Sequence, residues 1–425
     1  MKLLIAFLNG KFTSNLESRR YNPKVFHYYN EIVRFWNKIN FIIKKVFPNS
    51  SNLGVDQLAK YLYVTYRIMW EDASTKALFK EIKGIDKTFL KNLRTFSLEE
   101  ALWNKDEKEK LSILEGVPSF MIRHLLPYMA LNDIKNNVKA MNWLKRNNTI
   151  QIRINRLLEE KYAKNFDLMI ETELKKMNIA YSKDSNVEDL LTIPLLKKYD
   201  VIENRIYKKG LVVFQDKASA AVIEVLSPQP RDIILDMCAA PGIKTSLIAQ
   251  RMNNNGHLIA GEFLKSRIKV MKQLLYQLNV SNTHILNVDS IAFPSRFDNF
   301  FDRILLDAPC TGSGTFLTNP ELKWRQNQKF LRQSTVLQRK LFESALKILK
   351  PEGILVYSTC SLYPEEGEHI ILDFFNKLSA QTLPDWFSPS YLIKGSELPG
   401  TGRLFPSIHN TKGFFIGKFK KKEIQ

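Results

Sequence analysis

A chain of 425 residues exceeds one ordinary domain, so two or three compact units are expected, and 44% hydrophobic with 25% charged residues is the balance of a globular protein with real cores. The formal net charge of +20 favours polyanionic partners. It is spread over both the first 150 residues and the remainder, which excludes a single basic tail as its source, although a lysine-rich proteome would give the same excess.

Three cysteines, Cys238, Cys310 and Cys360, cannot form a disulfide framework, and no Cys/His cluster has zinc spacing. No metal is expected, and a reducing, cytoplasmic compartment is. The opening MKLLIAFLNG is apolar but too short for a membrane span and lacks a small-residue cleavage site, so neither signal peptide nor membrane association is expected.

Residues 1–135 read as helical. Segment 24–46 spaces apolar residues three and four apart, and 117–130 leaves a Pro-Ser turn into another helix. Its aromatics Phe26, Tyr28, Tyr29, Phe35 and Trp36 could stack on bases, but aromatics at helical spacing usually pack in a core. From 136 to 212 a small α/β unit is expected: a strand at 149–155, a helix over 156–177, and short strands near 191–195 and 211–214.

From 213 to 425 strands and helices alternate. Strands are expected at 233–237, 257–262, 283–289, 303–309 and 353–360, with helices such as 265–278 and 328–349 between them. That alternation implies a parallel sheet covered on both faces, with ligands bound at the carboxyl ends of its strands.

The unusual residues fall at those ends. In LDMCAAPGIKT (235–245) an acid closes a strand, a small-residue turn follows, and a helix opens at Lys244 and Thr245. Small residues admit a ligand to the backbone and a helix amino terminus offers free N–H groups, yet one glycine is too few for a triphosphate loop. An ordinary turn between strand and helix would read much the same. Glu262, closing the next strand, can accept both hydroxyls of a ribose, although an isolated acid there is more often just solvated. Asp289 closes the third strand, and three acids at successive strand ends are harder to dismiss than one.

DAPCTGSGT (307–315) and STCS (358–361) close the fourth and fifth strands. A lone cysteine is usually a small buried hydrophobe, but two beside polar loops at one sheet edge point to reactivity. Methylation of cytosine carbon 5 would use such a pair. A thiolate adds at carbon 6, an acid or donor engages ring nitrogen 3, and a second group helps remove the carbon 5 proton so that the thiolate can leave.

These segments, with AGEFLKSR (260–267), NVDS (287–290), KWR (323–325), KILKPEGILVYSTCSLYPEEGE (347–368) and GRLFPSIHNTKGFFIGKF (402–419), resemble the Nop2/Sun family of RNA cytosine-5 methyltransferases over about residues 136–425. The resemblance implies a Rossmann-like catalytic domain (213–425) that uses S-adenosyl-L-methionine, a small RRM-like α/β subdomain (136–212), and an all-α amino-terminal domain (1–135) similar to the antitermination-factor type that binds RNA. It implies that Cys360 is the nucleophile, that Cys310 assists release, and that Asp307 and Lys244 reach the cytosine. Cys238, Ala239, Ala240, Pro241, Gly242, Ile243, Lys244, Glu262, Arg267, Asp289 and Asp307 would line the methyl donor. Ile243 departs from the family, which usually has a second glycine there; Asn410-Thr411-Lys412 stands where the family favours an acid. Ribosomal RNA is the favoured substrate, transfer RNA the second, and no obligate protein partner is evident.

Three other readings compete. A DNA cytosine-5 methyltransferase attacks with its Pro-Cys cysteine and has no Thr-Cys partner, so STCS speaks against it. An exocyclic-amine methyltransferase would carry an Asn/Asp-Pro-Pro-aromatic loop, which is absent. A catalytically dead RNA-binding assembly factor would be free to lose its cysteines, and this chain holds both.

Overall fold

The computed structural model describes residues 1–11, 22–142, 149–162 and 165–423, which gather into two units. One comprises Met1–Asn142 and Thr315–Asn327; the other comprises Trp143–Gly314 and Gln328–Gln425.

The first unit is helical. The apolar opening forms the helix Lys2–Leu8 and buries Leu3, Leu4 and Phe7. The expected helix over 24–46 is two helices, Pro23–Arg34 and Trp36–Val46, broken at Phe35. Asn22 caps the first by accepting from Lys24 N–H, and proline follows where its missing donor is not needed. The second turns Ile39, Ile42, Ile43 and Val46 inward at helical spacing. Tyr29 and Phe35 are buried and Phe26, Tyr28 and Trp36 pack against the same core, so these aromatics are structural. Of the expected helix at 117–130, Ser119–Leu125 is helical, and a further helix, Leu131–Asn142, follows.

The insertion Thr315–Asn327 completes this core. Its short 3₁₀ turn, Pro320–Arg325, buries Lys323 completely. The Lys323 ammonium donates to the Arg34 carbonyl at 3.2 Å and to the Asn142 side chain, while Trp324 Nε1 donates to the Val33 carbonyl at 2.6 Å. The Arg34 guanidinium donates to the Phe316 and Leu317 carbonyls, each at 3.0 Å. Burial, reinforced by the Arg34 charge, pushes the Lys323 ammonium well below its usual range.

The second unit holds two sheets. The smaller has β1 (Thr149–Ile154), β2 (Ser182–Lys183), β3 (Leu190–Pro194) and β4 (Val212–Phe214), all paired antiparallel in the order β2-β3-β1-β4. Helix Phe166–Lys176 leads from β1 to β2, and two short helices separate β3 from β4, the split β-α-β pattern of an RRM-like unit. The expected helix 156–177 begins as a 3₁₀ turn, Arg156–Leu158; its residues 163 and 164 lie outside the described residues.

The larger sheet contains β5 (Ile233–Asp236), β6 (His257–Glu262), β7 (Thr283–Asn287), β8 (Phe301–Asp307), β9 (Leu349–Thr359), β10 (Leu378–Ala380), β11 (Ser388–Pro389), β12 (Thr401–Leu404) and β13 (Phe414–Lys421). Its order is β11-β12-β13-β9-β8-β5-β6-β7, with β10 beside β13. β5 to β9 run parallel, as their helix-linked sequence requires, and β10 to β13 extend the sheet antiparallel. Successive residues feed opposite cores. Ile304, Leu306, Leu355 and Tyr357 face one cluster with Leu341, Phe342 and Ala345, whereas Leu305 and Val356 face the other with Ala220, Ile223 and Leu247.

A buried ion pair anchors the antiparallel extension. Arg403 on β12 and Glu368 are fully buried and bonded in a fork, at 2.7 Å from Nε and 2.6 Å from the terminal nitrogen. Arg403 also donates to the Ser361 carbonyl at 3.1 Å, and Glu368 accepts from Tyr391 N–H. Removing one partner strands the other charge. Glu368→Ala is expected to cost about 3–5 kcal/mol, and the paired replacement Glu368→Met with Arg403→Met distinctly less. Denaturant unfolding of both variants checks it.

Candidate active site

The parallel register of β8 with β9 sets Asp307 against Ser358, so two polar strand ends meet at one edge of an apolar sheet. Ser358 donates its hydroxyl to Asp307 Oδ1 at 2.7 Å, and Lys244 Nζ lies 2.7 Å from Asp307 Oδ2. Lys244 stands in the first turn of the helix Ile243–Arg251, which starts directly after Gly242. At Gly242 φ is +101°, a conformation that strains any L side chain, so glycine is required to turn the loop into the helix. Burial alone would lower the Lys244 ammonium, but the charge and hydrogen bond of Asp307 hold it above its ordinary range, and it stays cationic.

Beyond these strand ends the two cysteine loops are laced together. Ala308 N–H donates to the Ser358 carbonyl at 2.9 Å and Gly314 N–H to the Cys360 carbonyl at 3.0 Å. Ser313 and Ser361 share a hydroxyl hydrogen bond at 2.9 Å, and Leu362 N–H donates to the Ser313 hydroxyl at 2.8 Å. A side chain at Gly314 would stand 2.1 Å from the Gly413 carbonyl, so glycine alone admits the carboxyl-terminal strand here. The result is a pair of half-buried thiols, Cys310 Sγ and Cys360 Sγ, 3.1 Å apart. The hydrogen bond to Cys360 and then burial push the Cys310 thiol well above its usual range, so Cys310 keeps its proton, and either sulfur can be the donor in the contact.

The remaining sequence-derived residues line the neighbouring strand ends. Ala239 and Ala240 are buried, and Cys238, Pro241 and Ile243 complete the loop around Gly242. Burial pushes the Cys238 thiol up and keeps it neutral. Glu262 is buried at the end of β6, where Oε1 accepts from Leu264 N–H at 2.8 Å and Oε2 pairs with Arg267 at 3.0 Å. Arg267 in turn donates to the Ala240 carbonyl, tying Glu262 to the loop. The strand β7 ends at Asn287 rather than at Asp289; beyond it Ser290 donates to the Met237 carbonyl at 2.7 Å, while its neighbour Asp289 is exposed and accepts from Ile291 N–H. Thus the Lys244–Asp307 and Cys310–Cys360 pairs share one sheet edge as a first group, and residues 239–242, Glu262 and Arg267 make a second.

Sequence reasoning passed over Ser358, Asp236 and Thr245 as site residues. Ser358 lies inside the STCS segment, and Asp236 was read only as the acid closing a strand; each is a buried polar residue in an apolar strand, the signal that marks it. Thr245 donates to Asp236 Oδ2 at 2.8 Å.

Residues 223–420 match the family described as 16S rRNA methyltransferase RsmB/F. A tRNA (cytosine(49)-C(5))-methyltransferase of Pyrococcus abyssi is 32% identical over 344 residues, 75% of this chain and 96% of that protein. A 28S rRNA (cytosine-C(5))-methyltransferase of Mus musculus is 37% identical over 227 residues, 51% of this chain, so the chain spans just 28% of that relative's length. Among solved structures, that of PH0851 superposes with a TM-score of 0.77 at 27% identity, covering 98% of this chain and 93% of the other.

Burial pushes the Asp236 carboxyl from its ordinary 3.8 to about 7, against the opposing hydrogen bond from Thr245. The folded chain therefore keeps a proton that the unfolded chain has already released between those two values, and stability falls as pH rises across that window. Asp236→Asn is expected to stabilise the protein at pH 8 by roughly 2–4 kcal/mol, with little effect near pH 4. Thermal melts at both pH values check it; an equal shift at both would contradict the assignment.

Proposed function

This chain belongs to the RsmB/F family of methyltransferases, and on that premise we propose that it methylates carbon 5 of a cytosine in RNA, with S-adenosyl-L-methionine as methyl donor and Cys360 as nucleophile. The observation that carries the reading is the thiol pair, Cys310 and Cys360, 3.1 Å apart and placed on strand ends next to the Lys244–Asp307 pair. A merely structural cysteine has no use for a second thiol at that distance beside a half-buried cation.

The loop and strand ends fit the donor. The small residues Ala239, Ala240 and Gly242 let a ligand approach the start of the helix Ile243–Arg251, and Glu262, already oriented by Leu264 N–H and Arg267, has lone pairs left for ribose hydroxyls. Asp289, Asp307, Cys238, Pro241, Ile243 and Lys244 complete the wall. When bound, S-adenosylmethionine supplies a methyl group on a sulfonium, the electrophile that an activated carbon 5 takes up.

The chain's own residues supply the activation. Cys360 attacks as a thiolate, forming a sulfur bond to cytosine carbon 6 while the ring's π electrons shift towards carbon 5 and nitrogen 3. Lys244, held cationic by Asp307, places positive charge where that electron density grows, and the Asp307 carboxylate accepts from the cytosine amine. After methylation the carbon 5 proton must leave; its electron pair restores the ring double bond and the Cys360–carbon bond breaks. Cys310 suits that later step. Its sulfur lies 3.1 Å from the Cys360 sulfur, and so beside the ring carbons once the thioether has formed.

Ribosomal RNA is the favoured substrate, and the net charge of +20 suits phosphate contacts by residues 1–135 and by the small sheet within 136–212, ahead of catalysis by 213–425. Transfer RNA is the second reading, favoured by the Pyrococcus abyssi relative, 96% of which is covered. A reducing cytoplasm keeps both thiols available. Among the described residues no helix is long and apolar enough to cross a membrane. Bisulfite sequencing of cellular RNA with and without the chain names the substrate: loss of one protected cytosine is expected, and an unchanged map would sink the reading.

The two cysteines separate in a denaturing gel with substrate RNA. Cys360→Ala is expected to abolish methyl transfer and any covalent adduct. Cys310→Ala is expected to attack and methylate but to accumulate a protein–RNA adduct that survives denaturation. An adduct with Cys360→Ala and none with Cys310→Ala would reverse the assignment.

A further inference from the structure

Glu366 lies outside both contact groups, yet its side chain reaches the Cys310 loop and its main chain the strand that ends at Cys360. Its carboxylate is fully buried. Oε1 accepts from Thr311 N–H at 2.9 Å and from Gln338 Nε2 at 3.0 Å, and Oε2 accepts from the Thr311 hydroxyl. The same Gln338 amide donates to the Pro309 carbonyl at 2.9 Å. Cys310 stands between Pro309 and Thr311, so the peptide groups on both of its sides are held by one Glu–Gln pair. The Glu366 carbonyl meanwhile accepts from the Tyr357 hydroxyl at 2.9 Å and the Thr359 hydroxyl at 3.1 Å, both on the strand that delivers Cys360.

The orientation of Gln338 shows what the pair is built for. Both of its partners are acceptors, so the amide must present its NH₂ to them, and its buried oxygen has no hydrogen-bond partner among the described residues. A buried carboxylate and an orphaned amide oxygen are both unfavourable, and neither is needed to fill space, since an apolar pair of the same shape would pack without either penalty. What an apolar pair could not do is fix the rotation of the two peptides around Cys310. Burial raises the Glu366 carboxyl, and hydrogen bonds from Ser361, Thr311 and Gln338 oppose that rise.

We propose that Glu366, through Gln338 and Thr311, is the positioning residue that holds the Cys310 thiol opposite Cys360, and that it serves the release of the methylated base rather than the attack on it. The proposal rests on the cysteine roles given above. Because Glu366 touches neither sulfur, it acts only through where Cys310 points. In Glu366→Gln at least one donor now facing the carboxylate meets an NH₂ instead of an oxygen, and the loop loses its fixed setting.

The test compares single-turnover methylation, steady-state turnover and the amount of denaturation-resistant adduct in wild type, Glu366→Gln, Cys310→Ala and the double variant. Glu366→Gln is expected to methylate in a single turnover within about threefold of wild type, to turn over at least tenfold more slowly, and to accumulate adduct. In the Cys310→Ala background it is expected to add no further slowing of release, because the thiol it positions is gone. Equal losses in single-turnover and steady-state rates, or additive slowing in the double variant, would overturn the proposal in favour of a purely structural role. If Glu366→Gln does not fold, Gln338→Met, which frees the Pro309 carbonyl and keeps the side chain's length, carries the same comparison. A wild-type chain that neither methylates RNA nor forms an adduct would instead refute the underlying functional reading, so the two failures are distinct.

Discussion

The site depends on one pairing, β8 against β9 in parallel. Parallel strands release their carboxyl ends on the same edge, so the loops bearing Cys310 and Cys360 leave the sheet side by side, and the register places Asp307 against Ser358. A slip of one residue would send Ser358 to the opposite face and leave Asp307 without that hydroxyl. The register is fixed from both sides, because Leu305 and Val356 belong to one core cluster while Leu306 and Tyr357 belong to the other. Packing thus specifies the chemistry: the leucines and the tyrosine decide where the thiols meet.

Charge is handled differently at the surface and inside. The surplus of basic residues belongs to the chain as a whole. Ion pairs in the second unit bridge its elements: Lys244 with Asp307, Arg267 with Glu262, and the fully buried Arg403 with Glu368. Each pair joins two different elements, so each is also a geometric constraint, and breaking one would free a loop as well as a charge. Arg153 on β1 makes such a link with neutral acceptors instead. It is buried and donates to Gln215 and to Ser246, each at 2.7 Å, which ties the small sheet to the helix that opens at Gly242. Lys323 in the helical unit is likewise a buried cation with neutral acceptors, and burial depresses its ammonium.

Much of this was legible because the signals were local. β5 to β9 are short apolar runs closed by polar or small residues, and alternation with helices requires them to be parallel. The Phe35 break was not legible, since apolar spacing continues through it and the interruption depends on how the two helices pack. Nor was the antiparallel extension. β12 reads Thr-Gly-Arg-Leu, with a charged residue buried at its centre, and only the partner Glu368, 35 residues away in sequence, makes that position tolerable. For the candidate site, the cysteines and strand-end acids stood out as residue types, while Ser358 and Glu366 matter through hydrogen bonds to loops distant in sequence. Glu366 is one acid among several in YPEEGE until its carboxylate is seen between Thr311 and Gln338.

The helical unit has a property that its helices do not announce: its core is encoded in two separate stretches of the gene. Lys323 and Trp324 fill and hydrogen-bond positions beside Val33, Arg34 and Asn142, and Arg34 spends two of its donors on Phe316 and Leu317. A polypeptide ending at Asn142 would keep every long helix yet expose the cleft left by Trp324 and orphan the Arg34 donors. Modular shuffling is therefore closed to this unit. A recombination crossover anywhere between codons 142 and 315 would divide a single core between two parents, and the halves would inherit compatibility only if Arg34 and the 315–327 segment travelled together.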